Sequence, residues 1–544
     1  MTSLEYVAVA KLDEFPEGAL RMVRVGSRRV CLVRTSTGVH ALDNACPHEG
    51  YGLTQGDLTG DQPTCVWHNW KFRVADGKCT QGEENVTVHH VLVEADGTIK
   101  VALRLPANGA NNEELFASLR RGIANDYVGQ ISRDVIRLLG ASANPGELVW
   151  EAIAFGAPRA EFGWGHSVAS AADCLAMASL YEGAERALPV VQAIAGISES
   201  ERSRQVELLP EPKSTVDQNG GRRFREFVET EQLASAQSLL RGAILNGVSP
   251  TELQRWFTMV VTDHHLSYGH GAIYAQKAFE LLDQIGWVRA DTVLPYLVPT
   301  IIYGTREDKL PYMRPFMKSL ATTDLAALAS VPRNPDWDEL PLVVDALLGG
   351  DRKRAFECVV LALQRGAGID GVLDAAVLAS SERLLRYDTS GEAEFLDDFG
   401  WLDITHGVTY AHAARWHCLQ SPGPETVRLA MFATFLAFWT GRHEWHTSVA
   451  PRAEVVPLAN DLRTYGNQLQ MMGLNDPAAS FIVQAHVIKN TRAAAIESVR
   501  MGSNTPLLGA QRFMESPKLQ RFVAATVARS LAFLNGRAPR DTDE

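Results

Sequence analysis

An all-β module of about a hundred residues, followed by a large all-α region, is the fold class this sequence predicts. Two observations carry it. Residues 22–42 read MVRVGSRRVCLVRTSTGVHAL, alternating apolar with polar positions and breaking at Gly, the period-two pattern of half-buried strands. From Glu113 onward the texture changes to Ala- and Leu-rich segments of helical length, such as VLDAAVLASSERLLRYD and QRFVAATVARSLAFLNG.

Composition sets the outer limits. The chain has 544 residues, 46% hydrophobic and 21% charged, enough to bury a core and far from the disordered profile. A prior of roughly 150 residues per domain gives three or four units, although one large helical domain can absorb several. Lys+Arg 52 against Asp+Glu 64 leaves a formal charge of −12. With no basic stripe beside it, that balance speaks against nucleic acid as a partner. Seven Cys are too few for a disulfide framework. The opening residues show no basic stretch leading into an apolar run, so no secretory signal is expected. The most apolar stretch, Leu429 to Trp439, is too short to cross a bilayer. The expectation is a soluble cytoplasmic protein that uses no membrane.

Taken in order, the strand pattern continues through TVHHVLVEADGTIKVAL, where Asp96-Gly97 is a hairpin signal. The polar segment Pro106–Asn112 ends the β character, and domains are expected at 1–107 and 112–544. Helix signals follow, with Ser249-Pro250 as a start and Gly286 as a stop. Polar breaks near 198–222 and 332–338 read as loops inside the helical region. Cys174, Cys358 and Cys418 lie on apolar helical rows and are expected to be buried small hydrophobes. Arg442-His443-Glu444-Trp445-His446 reads as a capped helix end.

One motif stands out: Cys46-Pro47-His48, sixteen residues, then Cys65-Val66-Trp67-His68. Two Cys and two His in paired short loops are also a tetrahedral zinc set. CPHEG followed by CVWHNWKFRVADGKC, however, resembles the Rieske [2Fe–2S] family over about residues 4 to 104. That resemblance implies Cys46 and Cys65 on one iron and His48 and His68 on the other, which raises the reduction potential above an all-thiolate cluster. The extra cysteines of respiratory Rieske proteins are missing here, so the type is similar to soluble ferredoxins and oxygenase Rieske domains. Trp67, Trp70 and Phe72 are expected to pack around the cluster and restrict water. Such a module moves single electrons, so an external donor, a reductase or ferredoxin, is implied.

Ten of the fifteen histidines lie in the helical region. Four lead similar segments: His166 in GWGHSVAS, His264 in DHHLSYGHG, His406 in DITHGVTYAHA and His486 in QAHVIKN. The fourth residue after each is Ser170, Tyr268, Tyr410 or Asn490, a diverged internal helical repeat of unequal spacing. Convergence of these imidazoles in a bundle core would make a metal site, a second, non-haem iron centre. Six residues of ideal helix turn through about 240°, so His264 and His270 are not expected on one face. The same holds for His406 and His412, so the first of each pair, His264 and His406, is assigned inward, and His265 and His417 outward. Asp263, His265 and His270 mimic a 2-His-1-carboxylate triad, but the carboxylate spacing is wrong and no sheet follows.

The segments DITHGVTYAHAARW and DHHLSYGHGAIYAQ resemble the questin oxidase-like helical family. The resemblance implies an oxygenase acting on quinone-type rings. No Gly-x-Gly-x-x-Gly follows a strand, so no dinucleotide site is evident. The expected function is a Rieske oxidoreductase, an oxygenase whose cluster feeds a helical domain that oxidises a small aromatic molecule. His166, His264, His406 and His486 would be ligands or orienting groups there, with Tyr268 and Tyr410 as proton donors. The competing expectation is an electron-transfer module fused to a scaffold that docks a partner enzyme. The sequence leaves the substrate and the oligomeric state open.

Overall fold

Both expected textures are present, in that order. The computed structural model describes residues 4–82, 84–104, 112–160, 162–393, 400–445, 451–518 and 523–535. The chain divides into two compact units, Met1–Ala143 and Asn144–Glu544.

The first unit holds two antiparallel sheets. Strands β1 (Val7–Lys11), β2 (Leu20–Val25), β3 (Arg28–Thr35), β4 (Gly38–Asp43), β9 (Val88–Val93) and β10 (Thr98–Ala102) form one, in the order β1-β10-β9-β4-β3-β2. The short strands β5 (Asp57–Thr59), β6 (Gln62–Thr64), β7 (Lys71–Phe72) and β8 (Cys79–Gln81) form the other. Strand β3 has cores on both faces. Val30 and Leu32 pack with Phe15, Ile99 and Val101, while Cys31 and Val33 pack with Cys46, Cys65, Trp70 and Phe72. Burial on both faces explains its unbroken apolar run where one-sided strands alternate. The Asp96-Gly97 hairpin forms as expected, with Gly97 at φ 80° between β9 and β10.

This unit does not stop where the β character does. The boundary drawn at 107–112 falls on residues 105–111, outside the described residues, and the compact unit runs on through helices Asn112–Asn125 and Val128–Gly140 to Ala143. Arg133 and Arg137 of the second helix hold Glu84 of the β region, at 2.9 Å and 3.1 Å.

The second unit is helical. Its heart is a ring of four helices, His166–Met177, His270–Ile285, Trp401–Gln420 and Phe481–Met501, each packed on the next. The ion pairs fix their sense. Lys277 Nζ meets Asp173 Oδ1 at 2.8 Å, and Arg492 Nε lies 3.5 Å from the same oxygen. These residues stand six or seven places beyond His270, His166 and His486, so those three helices run in one direction. Helix Pro424–Trp439 is buried almost all round, which accounts for the apolar run at Leu429–Trp439 as a core helix. Among the described residues no helix is long and apolar enough to cross a membrane. The loops expected near 198–222 and 332–338 lie between helices. Cys174 and Cys418 are buried as expected, whereas Cys358 is half-buried on a helix surface row.

Candidate metal centres

The two motif loops of the first unit are built alike. The Cys46 N–H donates to Tyr51 O at 2.7 Å, and the Gly50 N–H to Cys46 O at 2.8 Å. In the other loop the Cys65 N–H donates to Trp70 O at 2.8 Å, and the Asn69 N–H to Cys65 O at 2.9 Å. Each loop closes through a left-handed residue four places after its Cys, Gly50 at φ 81° and Asn69 at φ 60°. Gly and Asn are the residues that accept this region at least cost. The closures turn both thiols inward, where Cys46 and Cys65 are buried, and bring the His48 and His68 rings to 4.1 Å, edge to face.

The donor set fits a [2Fe–2S] cluster held by two thiolates and two imidazoles. His48 Nδ1 is buried with no hydrogen-bond partner among the described residues, an orphaned lone pair aimed where a ligand atom belongs. Burial pushes the Cys46 thiol up to about 12, so a thiolate there needs a cation beside it. Trp70 stacks on His48 at 5.0 Å, and Tyr127, from the residue preceding the Val128–Gly140 helix, stacks at 5.5 Å. Trp70 and Phe72 line the buried side as the sequence suggested. Trp67 does not; it is 54% exposed and stacks on Tyr51 at 4.1 Å.

In the second unit four imidazoles meet. His166, His270, His406 and His486 each bring one ring nitrogen into a group whose members all lie within 4.8 Å of one another. His406 Nδ1 donates to Leu402 O at 2.5 Å and His486 Nδ1 to Ile482 O at 2.7 Å. Each bond runs one turn back along its own helix and fixes the tautomer, leaving Nε2 as a bare lone pair facing inward. Yet His406 Nε2 lies 2.8 Å from His270 Nε2 and 3.2 Å from His486 Nε2. Two lone pairs at that range repel unless a proton or a cation stands between them.

The electrostatics keep the rings neutral. Burial first, then Lys489 and the neighbouring imidazoles, hold His166 and His486 well below the usual range. Burial, His406 and Lys489 do the same for His270, and His406 is brought to about 3. All four are therefore neutral near pH 7, the ligand form. Tyr274 hydroxyl, bonded to His166 Nδ1 at 2.9 Å, orients the fourth ring. Burial also pushes the Lys489 ammonium down to about 7.

Three of the four expected leading histidines thus come together, and His264 does not. The reason is local. The sequence reading carried helix through 264–270, but helix Pro250–Asp263 ends at His264, which is extended at φ −137°, ψ 151°. Leu266 then forms an antiparallel bridge with Arg306. In an extended segment neighbours face opposite ways. His264 points out to Asp308 at 2.9 Å and Glu229 at 2.7 Å, while His265 points in, 1% exposed, to Glu307 at 2.8 Å. A new helix starts at His270, which takes the place assigned to His264. His417 is also inward, bonded to Thr258 at 2.8 Å and to Ala272 O at 3.1 Å. Asp263 pairs with Arg225 and Arg428 and forms no triad with His265 and His270.

Tyr268 lies over His406, its ring 5.5 Å away and inclined by 29°, and is flanked by Asp403. Burial pushes the Asp403 carboxyl up to about 6 against the pull of Arg442. Tyr410 is a buried wall, stacked on His265 at 5.4 Å. Glu307, Lys489 and Asp403 escaped the sequence reading, since lone charges inside helical or turn segments look like solvated surface. Of the 442–446 segment, His446 lies outside the described residues.

Comparison with known proteins bears on the first centre. A family described as the Rieske [2Fe-2S] domain matches residues 5–92. The ferredoxin component of an alkene monooxygenase system from Xanthobacter autotrophicus is 37% identical over 76 residues, 14% of this chain and 62% of that protein. A ferredoxin component of naphthalene 1,2-dioxygenase/salicylate 5-hydroxylase systems from Ralstonia sp is 30% identical over 91 residues, 16% of this chain and 88% of its own length. The 4beta-methylsterol monooxygenase of Methylococcus capsulatus is 34% identical over 74 residues, 13% of this chain and 18% of that enzyme. The chain therefore spans less than two thirds of the first relative and a small part of the third.

Proposed function

Given that the chain belongs to the Rieske [2Fe–2S] family through residues 5–92, we propose that it is an oxygenase whose cluster supplies electrons to a mononuclear iron held by His166, His270, His406 and His486. The observation that carries this reading is the convergence of four ring nitrogens within 4.8 Å of one another, with the outer nitrogens of His406 and His486 tied to backbone carbonyls. Relatives of the first unit that serve monooxygenase and dioxygenase systems support it. Imidazole sets suit iron, copper, nickel and zinc alike; the one-electron cluster favours the redox-active iron.

When bound, that iron would be the place where dioxygen is reduced and activated. The remaining work belongs to the chain. The backbone carbonyls of Leu402 and Ile482 hold two rings in the ligand tautomer. Tyr274 orients His166. Tyr268 covers His406, an aromatic ring at the centre suited to contact a flat aromatic substrate. Asp403, near 6 and beside Tyr268, can hold or release a proton at neutral pH. A dication beside Lys489 would lower its pKa further and keep it a neutral amine. Electrons would enter from an external reductase or ferredoxin. A docking scaffold, by contrast, has no use for four converging neutral imidazoles, two of them buried, which are expensive to desolvate without a ligand.

The test is an iron count on the anaerobically purified full chain. The expected result is one iron beyond the two of the cluster. That extra iron should vanish in the His270→Ala,His406→Ala variant while the cluster spectrum persists. Equal iron in both proteins would remove the proposed centre.

A further inference from the structure

Three consecutive residues ahead of His270 occupy the left-handed region: Ser267 at φ 46°, Tyr268 at φ 56° and Gly269 at φ 89°. For Ser and Tyr this conformation is strained and persists only where the surroundings over-determine it. Here they do. The Ser267 N–H donates to Thr305 O at 3.0 Å, and the Thr305 N–H to Ser267 Oγ at 2.7 Å. The Gly269 N–H closes on Leu266 O at 2.8 Å. The Tyr268 N–H, which no turn carbonyl reaches, donates instead to Glu307 Oε2 at 3.1 Å.

Glu307 does more than cap that one amide. Its Oε2 also lies 2.8 Å from His265 Nε2, and its own N–H donates to His265 O at 3.1 Å. The carboxylate is 3% exposed and His265 1%. The His265 ring is itself fixed between Tyr410 at 5.4 Å and Phe432 at 5.7 Å, stacked on both. Behind Gly269 the Tyr410 ring fills the space a Cβ would need. A rigid line of contacts therefore runs from Phe432 and Tyr410 through His265 and Glu307 to the strained backbone two residues before His270.

We propose that Glu307 is a positioning residue for the four-histidine centre. Its carboxylate, anchored by His265, holds the 267–269 backbone so that His270 Nε2 and the Tyr268 ring face His406. The inference rests on the proposed function, because it presumes that the imidazoles bind iron. It assigns to Glu307 no bond to the metal and no proton transfer. A structural role alone would leave the metal geometry untouched; a positioning role would not.

The experiment titrates ferrous iron anaerobically into full-length protein whose Rieske cluster is intact but whose helical site has been stripped. Binding affinity, the electron paramagnetic resonance signal of the nitric oxide adduct, and thermal stability are read together. Glu307→Ala should weaken iron binding about 10–100-fold, the usual cost of losing an outer support of a metal ligand, and broaden or shift the adduct signal. Glu307→Gln retains an oxygen for the Tyr268 N–H and should stay within about threefold of the wild type. His264→Ala, on the outward side of the same segment, should leave affinity and signal unchanged. The positioning role is overturned if Glu307→Ala keeps wild-type affinity and signal. It is equally overturned if the Ala, Gln and His264 variants all lose iron in proportion to lost stability. A wild type that binds no iron at the helical site sinks the proposed function first, and the positioning role with it.

Discussion

His264 and His270 are six residues apart, and the difference between them separates an ion-paired side chain from a proposed ligand. His264 spends both ring nitrogens on Asp308 and Glu229, whereas His270 offers Nε2 to His406 at 2.8 Å. Replacing His270 by Ala is therefore expected to remove the helical iron outright, and replacing His264 by Ala to leave it in place, both read as iron per chain. Lys489 gives a second residue-scale outcome. It is 2% exposed and held near 7 by burial, and its charged form lowers the proton affinity of all four imidazoles. Lys489→Met keeps the length and the apolar packing but removes that charge, and should raise iron affinity in an anaerobic titration. Unchanged affinity would make Lys489 a bystander.

At the scale of elements, the helix Trp401–Gln420 carries His406 toward the centre and His417 into its far packing face. Burial brings His417 down from 6.5 to about 4. Above pH 6.5 the imidazole is neutral in both folded and unfolded chains, so pH has no effect through it. Between 6.5 and 4 the unfolded chain takes up a proton that the folded chain refuses, and stability falls as pH falls. The loss at the lower end is on the order of 3 kcal/mol, at about 1.4 kcal/mol per tenfold in proton affinity. Denaturant melts of wild type and His417→Asn from pH 7 to 4 should show the variant with the shallower slope; parallel slopes would contradict this. Burial would raise the Glu497 carboxyl, but His412 at 2.8 Å and Arg415 at 3.2 Å hold it at about 2. Its contribution is present above its usual 4.5 and disappears as pH falls toward 2.

The same elements show what the sequence could reveal. The period-two run at β2, the Asp96-Gly97 turn and the Ser249 cap were legible because each depends on neighbours in the chain. Ser249 does accept the Glu252 N–H at 3.2 Å. The cluster ligands were legible because their spacing is local to two loops. His270 was not, because its orientation depends on a break at 264–269 that is stabilised by Thr305 and Glu307, some forty residues downstream. Residues 112–140 were equally opaque. Their helical pattern is plain, but the contacts of Tyr127 with His48 and of Arg133 with Glu84 that draw them into the first unit are tertiary.

For the whole molecule, each unit has its own candidate centre: one built from paired loops closed by Gly50 and Asn69, the other from four histidines on helices arranged in a ring. Their independence can be tested. A Cys46→Ser,Cys65→Ser protein should lose the Rieske spectrum and keep the helical iron, and it should consume dioxygen only when reduced artificially. Loss of both centres together would mean that the units do not fold separately. The central claim is that the second unit binds iron through four histidines, and anomalous diffraction at the iron edge from crystals of the full chain tests it most directly. The account predicts density at two places, one bordered by Cys46, His48, Cys65 and His68, the other among His166, His270, His406 and His486. Density at the first place alone, with the four imidazoles joined only by protons or water, would contradict it.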